Sequence, residues 1–174
     1  ILSYHPKVDI HTRLETDLSN IQGSPVHLSK TIMNLVSNSA EAMPDGGSIT
    51  IATEVRYIDK PVLGFETIEE GEYVILTVSD RGTGISSAEI NKIFEPFYTK
   101  KVMGRSGTGL GMAVVWGTVK DHNGFLDVQS SLGKGTRFTI YFPITRKETD
   151  SHEDPINIED YMGNGESVLV VDDV

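Results

Sequence analysis

Cysteine is absent from all 174 residues, tryptophan occurs once, and aromatic side chains make up only 7% of the chain. Without thiols there is no disulfide framework and no thiolate metal site, and the lack fits a reducing, cytoplasmic setting. Apolar runs of about 18 residues, the length that crosses a bilayer, are missing too. Ile1 does not open a leader with a basic start and an apolar middle. Positive charge is scarce: 15 Lys and Arg face 25 Asp and Glu, a formal net charge of −10. Unspecific attraction to nucleic acid or anionic lipid is therefore disfavoured, and any polyanion that binds must meet a local cluster of donors. What is present, 38% hydrophobic and 23% charged residues, is the composition of a folded globular chain. Its length allows one domain and a short appendage. The opening at Ile1 and the ending inside an apolar run fit a piece of a longer protein.

Alternation predicts strands at Val8–Leu14, around Ile21, at Ser48–Tyr57 and at Tyr73–Ser79, with Asp59–Gly71 an irregular polar connection. A helix begins near Ser24 to His27 and stops at Pro44-Asp45-Gly46-Gly47. Leu28, Ile32, Leu35, Val36, Ser39 and Met43 share one side of it, whereas Lys30, Asn34, Asn38 and Glu41 line the other. Ser87–Ile93 reads as a short helix capped by Ser86 or Ser87 and broken at Pro96. Residues 98–108 carry Lys100, Lys101 and Arg105 among glycine and serine, which predicts a mobile basic loop. A helix over Leu110–His122 ends at Asn123-Gly124, and Phe125–Ser130 with Thr136–Phe142 reads as a hairpin. The stretch from Lys147 to Asp160 is acidic and interrupted by Pro155, which makes residues 148–166 a linker, and Ser167–Asp173 reads as the first strand of a further domain.

Three constellations carry chemistry. Gly107-Thr108-Gly109-Leu110-Gly111 precedes a helix, whose first turn offers unpaired N–H groups and the positive end of its dipole to a phosphate. A merely flexible loop would use the same glycines, and neither the dinucleotide fingerprint nor the P-loop pattern is present. Asn34 and Asn38 stand one turn apart, and asparagine is a poor choice for the middle of a helix that only needs a wet face. As neutral oxygen ligands they suit Mg²⁺ shared with phosphate. Asp80 ends a strand ahead of Arg81-Gly82-Thr83-Gly84, where a carboxylate accepts from an exocyclic amine and the glycines let backbone run beneath a flat ring. Base, metal and phosphate are then each provided for.

Asn34-Leu-Val-Ser-Asn38 through Met43, Asp80-Arg-Gly-Thr-Gly-Ile85, Phe94-Glu-Pro-Phe97 with Thr99-Lys-Lys101, and Gly107-Thr-Gly-Leu-Gly111 occur in the order of the N, G1, F and G2 boxes. In these boxes the chain, over about residues 1–147, resembles the catalytic domain of sensor histidine kinases, in the GHKL ATP-binding superfamily. The resemblance implies an α/β fold: a two-layer α/β sandwich of Bergerat type, with a mixed sheet, helices on one face and a mobile lid over ATP. It implies Asn38 as ligand of Mg²⁺, Asn34 as support for phosphates or metal, and Asp80 as reader of adenine N6 between Gly82 and Gly84. Phe94 and Phe97 anchor the lid, Lys101 and Arg105 reach the γ-phosphate, Gly107, Thr108, Gly109, Leu110 and Gly111 hold phosphates, and Thr136 lies near the base.

Hydrolytic members of the superfamily carry a glutamate one turn before the metal asparagine to activate water. Asn34 occupies that place here and cannot take a proton, so transfer to a protein histidine is favoured. Glu41 stands where most members have a lysine, and that lysine's role does not carry over. The resemblance implies as partners a phosphoacceptor domain preceding Ile1 and a receiver domain or response regulator, for Val168-Leu-Val-Val-Asp-Asp173 is similar to the opening of a receiver. Ser151-His152-Glu153-Asp154-Pro155 is only faintly similar to a phosphoacceptor box, with proline too early and on the wrong side of the ATP domain. A nucleotide-sensing module without turnover and a serine kinase of the same superfamily are the competing readings.

Overall fold

The computed structural model describes residues 7–99 and 108–147. In chain order these form β1 (Val8–Arg13), α1 (Pro25–Glu41), β2 (Gly47–Ile58), β3 (Val62–Leu63), β4 (Thr67–Ile68), β5 (Gly71–Ser79), α2 (Ser87–Ile90), a 3₁₀ turn (Lys92–Phe94), α3 (Gly111–Asp121), β6 (Phe125–Ser131) and β7 (Gly135–Pro143). Five strands make one mixed sheet in the order β1-β2-β5-β7-β6. The β1–β2 pair is parallel and the other three are antiparallel.

Strand alternation sorts the side chains onto two faces. Ile49, Leu76, Val78, Leu126, Val128, Phe138, Ile140 and Phe142 point to the side covered by α1 and α3, where they meet Leu35, Val36, Ala40, Val115 and Val119. Burying each such side chain stabilises the fold by about 1.5–3 kcal/mol. Thus the expected sandwich, with helices packed on one face of a mixed sheet, is the one observed.

The start of α1 follows from its cap. Ser24 is extended, its Oγ accepts from the His27 N–H, and Pro25 supplies a fixed φ at the first helical position. The helix closes at Glu41, two residues before Met43, because Ala42 and Met43 turn back onto Asn38 and Ala40 and Gly46 then takes φ +99°.

Several elements differ from the sequence reading. Asp59–Gly71 is not irregular: β3 and β4 pair as a tiny hairpin, too short to show alternation. The hairpin lies along β6, the sheet's last strand. There Glu66 Oε2 accepts from the Leu126 N–H at 2.8 Å, and Asp127 Oδ1 accepts from the Phe65 N–H at 2.8 Å. Donors along an edge strand are thereby covered. Ile68 joins Ile58, Tyr73 and Ile75 in a second, smaller apolar cluster, against which Phe125 and Tyr141 pack. Burial there raises the pKa of the Tyr73 and Tyr141 hydroxyls. The segment around Ile21 forms a single bridge to Ile144, not a strand. Ser87–Ile93 divides into α2 and the 3₁₀ turn, and the Ser86 Oγ donates to Glu89 Oε2 and caps no backbone N–H.

Candidate functional site

A cleft of about 330 Å³ opens between the last turns of α1, the end of β5 and the start of α3. Asp80 sits at its base, 8% exposed. Its Oδ1 accepts from the Gly82 N–H at 2.8 Å and the Thr136 N–H at 3.2 Å, and its Oδ2 accepts from Ser39 Oγ at 2.9 Å. A carboxylate oxygen has two lone-pair directions. Oδ1 is therefore filled, whereas Oδ2 keeps one acceptor for a donor entering the cleft.

The surrounding backbone is tied to the same network. The Asp80 N–H donates to Thr136 O, Thr83 N–H to Ala42 O, and Gly133 N–H to Thr83 O. Ser130 Oγ lies 2.9 Å from Thr136 Oγ1 and accepts from the Ile85 N–H at 2.8 Å. Gly84 has φ +70°, and a Cβ there would stand 2.1 Å from Ser131 O, so no other residue fits this turn. Ile85, Ile93, Met112 and Phe138 give the cleft an apolar wall, which suits a flat ring.

The helix asparagines are separated by the fold. Asn38 is half-buried and lines the cleft, as does Glu41. Asn34, also half-buried, lines a neighbouring groove and lies against Gly111, where an added Cβ would be 3.5 Å from its Oδ1. Among the described residues no three His, Asp or Glu side chains gather as a metal site. The Asn38 side chain can offer the cleft a neutral amide oxygen, a donor type compatible with Mg²⁺, an ion that keeps several waters and takes phosphate oxygens.

α3 begins at Gly111 behind Leu110, whose side chain has no atom to accept a hydrogen bond. Its first-turn N–H groups thus receive no side-chain cap from Leu110, as anion binding requires. Gly109 lines the cleft, has φ +70°, and its carbonyl accepts from the Phe97 N–H at 3.0 Å. The two flanks of residues 98–108 are clamped together there. Phe97 takes part through its backbone, at φ 67°, with its ring 73% exposed and outside the cleft lining. Phe94 packs its ring on Phe65 at 5.2 Å and on Trp116 at 5.3 Å between centroids. Thr108 is exposed and is not among the cleft-lining residues. Lys101, Arg105 and Gly107 lie outside the described residues, as do the predicted linker, the receiver-like strand and the Ser151–Pro155 box.

Two members of the site escaped the sequence reading. Ser39 was placed on the apolar side of α1, where a serine among Leu35, Val36 and Met43 is itself the signal: a buried hydroxyl needs a partner, and Asp80 is that partner. Ser130 gives no such signal. His122 is structural: Nε2 accepts from the Ser24 N–H at 3.0 Å while Nδ1 faces Thr118 O at 2.6 Å.

Residues 23–146 match the family model described as histidine kinase-, DNA gyrase B-, and HSP90-like ATPase. Sensor kinase CckA of Brucella abortus (strain 2308) is 34% identical over 175 residues, covering 95% of this chain and 18% of its own. Sporulation kinase A of Bacillus subtilis (strain 168) is 37% identical over 135 residues, covering 77% of this chain and 19% of its own. The chain therefore spans about a fifth of the length of these relatives. Among solved structures, the mycobacterial sensor histidine kinase MprB superimposes with a TM-score of 0.63 at 23% identity, over 82% of this chain and 86% of that one. The catalytic domain of histidine kinase ThkA, nucleotide free, gives 0.63 at 23% over 83% of each. At that identity the two show a shared fold.

Proposed function

The chain belongs to the histidine kinase-, DNA gyrase B- and HSP90-like ATPase family, as an ATP-binding catalytic domain of the sensor-kinase type, and on that premise we propose that it transfers the γ-phosphoryl group of Mg-ATP to a histidine on a separate dimerisation domain. Adenine enters against the apolar wall, and its N6 amine donates to the open acceptor of Asp80 Oδ2. The observation that carries this reading is Asp80 itself: a nearly buried carboxylate, held by three protein donors, with one acceptor site left toward the cleft.

Triphosphate leaves the base pocket toward the open N-terminus of α3, where the N–H groups behind Gly109 and Leu110 receive it, with Gly107 and Thr108 completing the loop. Asn38 would hold Mg²⁺ and Asn34 would support the phosphates from the groove beside Gly111. The cation, when bound, neutralises charge on the phosphate oxygens. Lys101 and Arg105 are assigned to the γ-phosphate by sequence. In the transfer the γ-phosphorus bond to the ADP oxygen breaks as a bond to an imidazole nitrogen forms, ADP departs, and the imidazole proton is released to solvent. That step is mostly positioning and charge stabilisation. Asn34 in place of an acid leaves no group there to activate water, which favours histidine over hydrolysis.

The phosphoacceptor domain is a second chain segment or partner, and the acidic pair at Asp172-Asp173 assigns the tail to a receiver. Support comes from the match to CckA, which at 95% of the chain has to extend past Lys147. Among the described residues no helix is long and apolar enough to cross a membrane. The test is transfer of labelled phosphate from ATP to a supplied acceptor domain by Asn38→Ala. A loss of about 10²-fold or more, the usual scale for removing a preorganised electrostatic contact, is expected, and an unchanged rate removes the metal role.

A further inference from the structure

The sheet face away from the helices is divided in two. At one end the second apolar cluster is covered by the β3–β4 hairpin, but at the other, behind Asp80, the face is polar and, among the described residues, open. One ladder row crosses four strands there: Thr50 on β2, Ser79 on β5, Arg137 on β7 and Gln129 on β6. A hollow of about 490 Å³ lies over it and gathers four cations, Arg13, Arg81, Lys134 and Arg137.

In a chain of net charge −10 this concentration is unexpected. Among the described residues none of the four cations has an ion-pair partner. The acids on the same face are engaged elsewhere: Glu54 pairs with Arg56, and Asp127 accepts from the Phe65 N–H and from the Gln129 amide. Asp9, on β1 opposite Ser48, makes no ion pair with any of them. Asp80 also borders the hollow, with its carboxylate engaged by Ser39, Gly82 and Thr136; four cations against this one acid leave the patch net positive, and what it fits is an extended polyanion.

We propose that this patch docks the acidic segment Glu148–Asp160 of the same chain. Charge complementarity is the first support: the segment carries Glu148, Asp150, Glu153, Asp154, Glu159 and Asp160 and no Lys or Arg. Reach is the second. The patch lies at the start of β7, and the chain leaves the sheet at its other end, after Pro143, roughly 20 Å away at about 3.3 Å per strand residue. Residues 144–147 are held at that end by Ile21, Asn20 and Gln22, so the reach counts from Lys147, up to about 33 Å from Arg137 at about 3.3 Å per strand residue. An extended chain covers about 3.3–3.6 Å per residue, so Glu159 and Asp160 come level with Arg137. Docked there, the tail lies directly behind the strand end that holds Asp80.

Because the chain has no cysteine, one introduced thiol gives a unique label. In the full chain a nitroxide on Asn157→Cys is expected to erase amide signals around Ser131–Arg137 and at Arg13. The signals return at about 1 M salt, where the Debye length is ~3 Å. The erasure is also lost in Arg13→Glu/Arg137→Glu, and in Glu159→Gln/Asp160→Gln, which leaves the sheet untouched. The proposal is overturned if the label affects no patch residue, if erasure persists in both variants or at high salt, or if it passes only between molecules in a mixture of labelled and isotope-enriched chains, which would make a second copy the occupant.

Discussion

At the strand end of the cleft, Asp80 arrives with its position already fixed by Ser39, Gly82 and Thr136, and the turn behind it is tied to α1 through Ala42 and to the β6–β7 hairpin through Gly133. At the helix end, α3 starts behind Leu110, which gives its first N–H groups no side-chain cap, and the Phe97–Gly109 backbone clamp holds the chain leading into it. The first region satisfies nearly every polar atom before a ligand comes, and the second keeps its donors open. A base is small, rigid and discriminated by one or two hydrogen bonds, so its wall benefits from being preformed. A triphosphate is recognised by charge from several sides, so unsatisfied donors are what it needs.

Breaking the preformed wall carries the largest effect. Asp80→Asn keeps the shape, removes the charge and turns an acceptor into a donor toward the amine. At about 1.5–3 kcal/mol for a hydrogen bond to a charged group, ATP affinity should fall about 10- to 100-fold by calorimetry, with adenosine losing as much. Equal affinity for ATP would disconnect Asp80 from the base. Gly109→Ala attacks the clamp: its Cβ would stand 2.6 Å from the Phe97 carbonyl carbon at φ +70°, costing about 1–3 kcal/mol. Thermal melting should drop and triphosphate affinity should fall more than adenosine affinity.

Leu110→Asp sharpens the contrast by placing a carboxylate at the open helix end, where it competes with phosphate for the dipole. A loss of roughly two- to fivefold in ATP affinity with adenosine unaffected is expected, in line with ~0.3–1 kcal/mol for a charge at a helix terminus. A matching loss for adenosine would mean the effect is not electrostatic. The smallest effect belongs to α1, whose start is closed by Ser24. Ser24→Ala should cost roughly 0.5 kcal/mol in chemical denaturation, because its 3.4 Å hydrogen bond is long, and leave nucleotide binding alone. A change in ATP affinity there would show that the two helix starts are coupled.

The strands at β1, β2, β5 and β7 and both long helices were legible because period 2 and period 3.6 repeat often enough in them to stand out. The β3–β4 hairpin was not, since two-residue strands have no period and exist here only because β6 offers an edge to cover. In the site, Asp80, Asn38 and Gly109 were found as residues out of keeping with their local element, an acid at a strand end, an amide in mid-helix, a glycine ahead of a helix. Ser130 carries no such mismatch, and its role comes entirely from lying across the ladder from Thr136.

By itself the sequence determined which chemistry the chain carries, because a carboxylate, an amide oxygen and a glycine-opened helix start each have their properties wherever they are placed. Only the tertiary structure decided that Asn38 shares a cleft with Asp80 while Asn34 turns to the next groove, that Ser39 is a ligand of a carboxylate and not core filling, and that four cations converge behind the sheet. The physical reason is that these relations depend on strand register and helix rotation across long sequence separations, which no local pattern encodes.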